Sequence, residues 1–353
     1  MGSLSLRNGA KRLSSSLKRQ ARAIAGSVGG SIVLRPLVRR MFLRHTNVVY
    51  YHLIGEGQPY YAPGRGGDCS VDGFARDIVG LKKFFTFTTL EKLCEYNQGG
   101  FASDRPLLAL TFDDGFRLSA PQVLQVLDEH GIKATQFLII SCVGNRNLMW
   151  RNKLFAIQAM VPASIHVARY NALAERAGFA PIGREADLPS ASAAWSMSRK
   201  DELADDLWRA CDMPPLEEFL DEYQPYFSWQ EVEGWLSAGH GVGLHTLTHP
   251  YCSRLTDDEI EDEIVRPAED LRTRCKLDFL PFSYPFGDRM AEAKEKALLK
   301  RRIFDCAFGN SGFARRGTEP HRLERAGIEG MGVGWPVFGR PTILYGLKGT
   351  AAR

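Results

Sequence analysis

The stretch Leu107–Gly115, Leu-Leu-Ala-Leu-Thr-Phe-Asp-Asp-Gly, joins an apolar run to two adjacent carboxylates and a glycine. The run Leu107–Thr111 is typical of a buried strand, and the carboxylates of Asp113 and Asp114 follow at its end. A carboxylate at the end of a buried strand costs free energy unless its charge is paired, and a metal ion or a catalytic proton would pair it. The sequence therefore predicts a metal or catalytic site here, with partners supplied by other parts of the chain.

A second apolar segment, Gly241–Pro250, reads Gly-Val-Gly-Leu-His-Thr-Leu-Thr-His-Pro and also ends in a polar cluster. His245 and His249 are four residues apart, so one helical turn or a tight loop places both imidazoles on one side. Two neutral imidazoles and one carboxylate form a three-ligand site for Zn²⁺ or a similar divalent metal, and the open position is typical of catalysis. A half-buried histidine pair and an Asp-Asp turn are the structural alternative, but two motifs at strand ends favour the metal site.

The two motifs together resemble those of the polysaccharide deacetylases, which are also called NodB-homology or carbohydrate esterase family 4 enzymes. The resemblance is carried by Thr111–Gly115 and His245–Pro250, and it is supported by Trp229–Gly243 and Ser283–Gly287. It extends over residues 47–330 and implies that family's fold and its hydrolysis of the acetamido group of an amino sugar.

The resemblance implies a role for each motif residue. The second aspartate and both histidines bind the metal in that family, which implies Asp114, His245 and His249 as ligands. The first aspartate is the general base, which implies that Asp113 takes a proton from a metal-bound water as it attacks the amide carbonyl. The metal expected is zinc, with cobalt or nickel as alternatives.

The third motif of that family is implied to lie at Ser283–Gly287, which reads Ser-Tyr-Pro-Phe-Gly. By resemblance, a backbone N–H at or near Phe286 stabilises the oxyanion, and Tyr284 and Pro285 lie beside the substrate. The family usually carries an arginine shortly before this motif, where it orients the base, and the chain has none at that place. Another group must therefore hold Asp113.

The histidine that serves as general acid near the C-terminal end of that family is missing from Thr342–Leu347. His52, however, follows the apolar segment that begins at Asn47. This arrangement is similar to a circularly permuted branch that includes the poly-N-acetylglucosamine deacetylases, in which the strand carrying the acid comes first. The resemblance implies that His52 protonates the leaving amine, and a structural histidine is the alternative.

The fold class predicted is α/β, a distorted (β/α) barrel of the NodB-homology type with a helical insertion and a basic N-terminal extension. The chain has 353 residues, of which 44% are hydrophobic, and short apolar strands alternate with helices through its middle. Capping boxes are predicted at Ser228–Glu231 and Thr256–Glu259. The boundaries expected are an extension over 1–45, a barrel over 46–340 with an insertion over 151–227, and a tail over 341–353.

The insertion lacks strand-like alternation and is helix-prone. A long insertion on the active-site face either shapes the substrate cleft or decorates the surface. Trp150, which precedes it, is expected to stack on a sugar or to line the cleft wall, with sealing of the core as the alternative.

The N-terminal extension is strongly basic. Before Glu56 there is no acidic residue, and there are ten basic ones: Arg7, Lys11, Arg12, Lys18, Arg19, Arg22, Arg35, Arg39, Arg40 and Arg44. Their interleaving with apolar residues favours a helix in peripheral contact with an anionic membrane, and a solvated tail is the alternative. We expect no nucleic-acid partner, because the net charge of the whole chain is only +4.

The seven cysteines are odd in number, scattered and without CxxC spacing, which favours a reducing compartment over a disulfide framework. Ala21–Leu34 does not have the pattern of a signal peptide. We therefore expect a cytoplasmic location, peripheral at the inner membrane. The substrate expected there is an acetylated amino-sugar glycan precursor or a lipid-linked sugar.

The function expected is the metal-dependent removal of N-acetyl groups from an amino sugar in a polysaccharide or glycan precursor. One alternative is the same machinery acting on another linear amide, such as a formyl group on a lipid-linked sugar. The other is a non-catalytic glycan-binding barrel. The missing arginine and the missing C-terminal histidine favour this last alternative, whereas the intact aspartate and histidine pairs weigh against it.

Overall fold

The computed structural model describes residues 35–55, 59–63, 70–117, 121–183 and 187–329. The first 34 residues of the predicted extension and the whole of the predicted tail 341–353 lie outside the described residues. The prediction of a membrane-binding helix falls largely on that N-terminal part. No described helix has the length and the apolar character needed to cross a bilayer.

Nine strands lie in the described ranges. They are β1 (His45–Tyr51), β2 (Thr86–Phe87), β3 (Leu107–Phe112), β4 (Ala134–Leu138), β5 (Gly241–Leu244), β6 (Pro281–Ser283), β7 (Cys306–Phe308), β8 (Ala314–Arg315) and β9 (Ala326–Gly327).

The α-helices of the described ranges surround these strands. They are α1 (Arg35–Phe42), α2 (Val71–Lys82), α3 (Leu90–Asn97), α4 (Pro121–Glu129), α5 (Trp150–Met160), α6 (Ala163–Ala177), α7 (Leu188–Ala191), α8 (Lys200–Ala210), α9 (Leu216–Tyr223), α10 (Trp229–Ser237), α11 (Asp257–Ile260), α12 (Arg266–Cys275) and α13 (Glu292–Lys300). A π-helical turn, Glu261–Val265, joins α11 to α12. The predicted capping boxes are present at the starts of α10 and α11.

The strands form one curled sheet with the order β7-β6-β5-β4-β3-β1-β8. β2 pairs with the start of β3, and β9 pairs with β1. Every pairing is parallel except that of β1 with β8. β3 and β4 are buried along their whole length, as expected for parallel strands covered by helices.

The segment that ends in β9 connects the two sides of this sheet. Leu323 forms a parallel bridge to Phe308 at the end of β7. A few residues later, Ala326 and Gly327 pair in parallel with β1. The strands therefore surround a common interior, which confirms the predicted distorted (β/α) barrel.

The predicted insertion is helical and is covered by α5 to α9; α5 begins one residue earlier, at Trp150, which is counted with the insertion from here on. Its apolar side chains form a second hydrophobic core around the buried rings of Trp150 and Trp195. Ile139, which follows β4, and Phe116 belong to the same core. The insertion is therefore packed against the barrel at the ends of β3 and β4.

The residues predicted to form the site follow different strands at the same end of the barrel. His52 follows β1, Asp113 follows β3, His245 follows β5 and Tyr284 follows β6. Because these strands are parallel, their carboxyl ends open on one face, where barrels of this kind carry their active sites.

Candidate active site

The three predicted metal ligands, Asp114, His245 and His249, converge in the structure. One ligand atom from each side chain lies within 4.8 Å of those of the other two. Oδ1 of Asp114 is 3.3 Å from Nε2 of both histidines, and all three side chains are buried. This oxygen accepts no well-formed hydrogen bond from a described residue. A buried carboxylate oxygen in that state, facing two imidazoles, fits a site for a divalent cation.

Both histidines turn Nε2 toward the Asp114 carboxylate. Nδ1 of His245 lies 2.7 Å from the carbonyl oxygen of Ser283. Because a carbonyl only accepts hydrogen bonds, Nδ1 carries a proton, and Nε2 is left as the ligand atom that faces Asp114. Burial lowers the pKa of His249 to about 4, so its imidazole is neutral. Burial opposes ionisation of Asp114, but the two neighbouring histidines hold its pKa well below the usual value.

The backbone near these ligands adopts left-handed conformations that residues other than glycine rarely take. The φ angles are 69° at Asp114, 67° at Thr246, 62° at His249 and 59° at Phe286. Each such residue costs about 1–3 kcal/mol unless its surroundings impose the conformation. At His249 they do so, because its N–H donates to the Thr246 hydroxyl at 2.9 Å and its carbonyl accepts from the Trp150 indole at 2.9 Å.

Asp113, the predicted base, is paired with Arg325. Two parallel hydrogen bonds of 2.7 and 2.8 Å join the guanidinium to both carboxylate oxygens, and Arg325 is only 1% exposed. Its other N–H groups donate to the hydroxyls of Thr111 and Ser283 and to the carbonyl of Gly309. Burial disfavours the ionised carboxylate, but Arg325 holds the pKa of Asp113 below its usual value. Arg325 thus supplies the cation that the third motif lacks.

His52, the predicted acid, reaches the same pocket from β1. The register pairs Tyr51 with Phe112, which brings His52 level with Asp113 on the neighbouring strand. Nδ1 of His52 lies 2.9 Å from the Glu329 carboxylate, which also accepts a hydrogen bond from the His52 backbone N–H. Burial opposes the charged imidazole, but Glu329 outweighs it and raises the pKa of His52 to about 9. The imidazole therefore carries its proton at neutral pH, as a general acid must.

The third motif lies against the metal ligands. The Phe286 ring contacts that of His249, with centroids 4.5 Å apart, and stacks on Tyr251 at 4.4 Å. Phe286 and Tyr284 line the pocket, as expected for residues beside the substrate. Pro285 is buried and is not among the lining residues, and its contact with substrate stays a prediction.

The expectation that Trp150 stacks on a sugar or lines the cleft is wrong. Its indole is fully buried and packs against Trp195 in the core of the insertion, with ring centroids 6.3 Å apart. The indole N–H is occupied by the His249 carbonyl. Trp150 therefore supports the loop that carries His249. The alternative prediction, a tryptophan that seals the core, describes it better.

The candidate groups line one pocket of about 330 Å³, which is within the range of small-ligand sites. Part of the pocket wall comes from the start of the insertion and the residues just before it. It consists of Met149, Arg151, Asn152 and Phe155. The insertion thus shapes the cleft, as one of the two sequence-based alternatives expected.

Arg325 and Glu329 are the site residues that sequence reasoning did not find. The segment Leu323–Glu329 reads Leu-Glu-Arg-Ala-Gly-Ile-Glu, and its charges are typical of an exposed edge rather than of a barrel interior. The signal available was indirect, since Asp113 needed a partner that its own motif did not provide.

A comparison with protein families identifies the chain. The profile described as "Polysaccharide deacetylase" matches residues 102–300, more than half of the sequence, including Asp113, Asp114, His245 and His249. The chain belongs to the polysaccharide deacetylase family. It is therefore a carbohydrate N-deacetylase, a hydrolase of linear amide C–N bonds, and the resemblance inferred from the motifs is confirmed.

Solved structures support the fold. The Streptococcus pyogenes deacetylase PplD, in complex with acetate, is 13% identical, with 80% of this chain and 91% of that chain covered and a TM-score of 0.51. IcaB from Ammonifex degensii is 18% identical, with the same two coverages of 80% and 91% and a TM-score of 0.50. No curated protein matches the sequence.

The matched range begins after His52 and ends before Arg325 and Glu329. The membership of this deacetylase in the permuted branch, and the role of His52 as its acid, therefore stay predictions.

The Arg325–Asp113 pair generates a test that needs no substrate. Arg325→Met leaves a buried carboxylate without its cation, so the free energy of unfolding should fall by about 3–5 kcal/mol. The double variant Arg325→Met/Asp113→Asn removes both charges and should recover a large part of this loss, as denaturant unfolding will measure. Arg301→Met, which breaks an ion pair with exposed Glu261, should cost about 1 kcal/mol or less. Equal stability of the single and double Arg325 variants would contradict the pairing.

The contact between His52 and Glu329 generates a second test. A general acid must be protonated, so activity should fall as the pH rises through the pKa of His52. Glu329→Gln removes the charge that raises this pKa, and the falling limb of the kcat/KM profile should move to lower pH by about one to three pH units. NMR titration of the His52 ring checks the same shift directly. Glu319→Gln, which removes an exposed carboxylate of the preceding segment, is the control, and an unmoved limb in Glu329→Gln would refute the assignment.

Proposed function

We propose that this protein is a divalent-metal-dependent deacetylase that removes the N-acetyl group from an amino sugar of a glycan or glycan precursor. The observation that carries the proposal is the convergence of Asp114, His245 and His249 beside a carboxylate whose ionised form is held by a buried arginine. Family membership supports the reaction class. A structural role alone does not account for three buried ligand atoms that face one another at the floor of an open pocket.

Asp114, His245 and His249 would hold the metal. Their donor set of two imidazoles and one carboxylate suits zinc, with cobalt and nickel as alternatives. When bound, such an ion acts as a Lewis acid that lowers the pKa of water and polarises a carbonyl. The neutral His249 imidazole and the ionised Asp114 carboxylate require no change of protonation state to accept it.

Asp113 acts as the general base. A carboxylate offers about four acceptor positions, and Arg325 takes one on each oxygen. Acceptor positions are therefore left for a water on the pocket side, from which Asp113 takes a proton as that water attacks the acetamido carbonyl. Arg325 fixes the carboxylate plane, so the base is oriented before substrate arrives.

His52 acts as the general acid. Its Nδ1 is held by Glu329, which leaves Nε2 as the donor. Protonation of the sugar nitrogen by this group releases the amine when the C–N bond breaks. The backbone at Phe286, in its left-handed conformation, is the proposed donor to the oxyanion, with the Tyr284 ring on the pocket wall.

The assignment of base and ligand predicts two different failures. Asp113→Asn should abolish acetate release while the metal content of the folded protein stays at the wild-type level, because the amide keeps the shape but not the basicity. His245→Ala should lose both. The measurement is metal analysis together with acetate release from chitin oligomers, poly-N-acetylglucosamine fragments, and nucleotide- or lipid-linked acetamido sugars, with formyl analogues scored for formate.

His130→Ala is the matched control, since His130 ends a helix away from the pocket and contacts Lys82. It should keep both metal and turnover. Full activity of Asp113→Asn would rule out the proposed base. Release of formate in preference to acetate would indicate that the substrate is a formylated sugar.

We also propose a cytoplasmic location at the membrane surface, with a lipid-linked or nucleotide-linked precursor as substrate. The scattered cysteines and the basic stretch before Glu56 support this. Fractionation of cells that express the native chain should find it in the cytoplasmic and membrane-peripheral fractions, released by high salt. Recovery from a periplasmic or secreted fraction would contradict the proposal.

A further inference from the structure

Arg151 lies in the wall of the active-site pocket, one residue into helix α5 of the insertion. Its guanidinium carbon is 4.9 Å from the centre of the Phe286 ring and 5.8 Å from that of Phe155. The Phe286 ring in turn contacts the ligand His249. Arg151 and the metal ligand His249 therefore both contact the Phe286 ring.

Arg151 differs from the other charged groups that line this pocket. Asp113 is paired with Arg325, and Glu329 is paired with His52. Arg151 forms no ion pair with a described residue, and its Nε–H is buried without a hydrogen-bond partner in the same part of the chain. An unsatisfied buried donor costs about 1–3 kcal/mol, which a ligand atom in the pocket would recover.

The chemistry of this side chain indicates the ligand. A guanidinium presents N–H groups in a planar fork that matches two oxygens of a carboxylate or phosphate. The rings of Phe286 and Phe155 flank the guanidinium, and its Nε–H has no partner among the described residues. A neutral sugar hydroxyl would accept a hydrogen bond from one N–H of Arg151 but would not compensate the positive charge of its guanidinium.

We propose that Arg151 binds an oxyanion on the substrate, so that the enzyme prefers an acetamido sugar that carries a phosphate or carboxylate close to its N-acetyl group. This inference rests on the proposed function and deepens it, because it specifies the charge of the substrate. A phosphate comes from a nucleotide-linked or lipid-linked sugar, and a carboxylate comes from a neighbouring uronic acid. The alternative role of Arg151 is structural, to press Phe286 against His249.

The test compares substrates that differ in charge. Metal-loaded wild-type protein, Arg151→Met and Arg151→Lys are assayed on N-acetylglucosamine 1-phosphate, on an N-acetylglucosamine–glucuronic acid disaccharide and on neutral di-N-acetylchitobiose. In Arg151→Met, the ratio of kcat/KM for the preferred anionic substrate to that for chitobiose should fall by about 10- to 100-fold, chiefly through KM. Arg151→Lys should retain part of the ratio. The anionic substrate with the larger loss identifies the source of the oxyanion.

Arg254→Met is the matched control. Arg254 also lies over an aromatic ring, that of Tyr251 at 4.7 Å, but it donates to the Ala193 carbonyl and does not line the pocket. Its substitution should leave the ratio of the two substrates unchanged. An equal loss on anionic and neutral substrates in Arg151→Met, or no preference for anions in the wild type, would overturn the proposal in favour of the structural role.

A binding measurement separates this inference from the proposed function. Calorimetry with glucosamine 1-phosphate and with glucosamine, which lacks the phosphate, needs no turnover. Preferential binding of the phosphate that is lost in Arg151→Met supports the oxyanion site even if no acetate is released from any substrate. Phosphate binding of equal strength in wild type and Arg151→Met indicates attachment to the metal alone and refutes the site.

Discussion

The ion pair between Arg325 and Asp113 is the interaction on which the rest of the site depends. A guanidinium buried inside a barrel is tolerated only when its charge and its donors are satisfied. Here the charge is met by Asp113 after β3, and the remaining donors reach Thr111 of β3, Ser283 of β6 and the Gly309 carbonyl after β7. The segment that carries Arg325 also connects β7 to β1. The same segment therefore closes the barrel and orients the base.

The metal ligands depend on a different kind of support. Asp114, Thr246 and His249 hold unfavourable φ angles, so contacts from outside the barrel must stabilise the loops. The insertion supplies them through the Trp150 indole and through Lys200, whose buried ammonium contacts the Thr248 hydroxyl and lies 3.6 Å from Glu263. The Glu263 carboxylate also accepts a hydrogen bond from the Thr248 N–H. The insertion thus fixes the loop that carries His249 and also lines part of the pocket.

Local patterns predicted the parts of the molecule that local chemistry determines. The strand ending in Asp113 and Asp114, the histidine pair and the capping box at Ser228 are each contained in a short stretch of chain, and the structure contains all three. Arg325 and Glu329 could not be found in this way, because their partners lie more than two hundred residues away in the sequence. Pairing across a barrel produces no periodic pattern in the sequence. Trp150 was misassigned for a related reason: the first residue of a helix has no periodicity to show which side its ring faces.

Arg325 and Glu329 are four residues apart, and together they set the charge of both groups proposed to move protons. Arg325 stabilises the ionised form of Asp113, and Glu329 stabilises the protonated form of His52, against the burial that opposes each charge. General acid–base catalysis by two groups requires that the base be ionised and the acid be protonated at the same pH. Asp113 and His52 follow the adjacent strands β3 and β1, so one short segment can contact both side chains and set the protonation state of each. Displacement of that segment would therefore impair base and acid together, whereas loss of the metal ligands would leave both protonation partners in place.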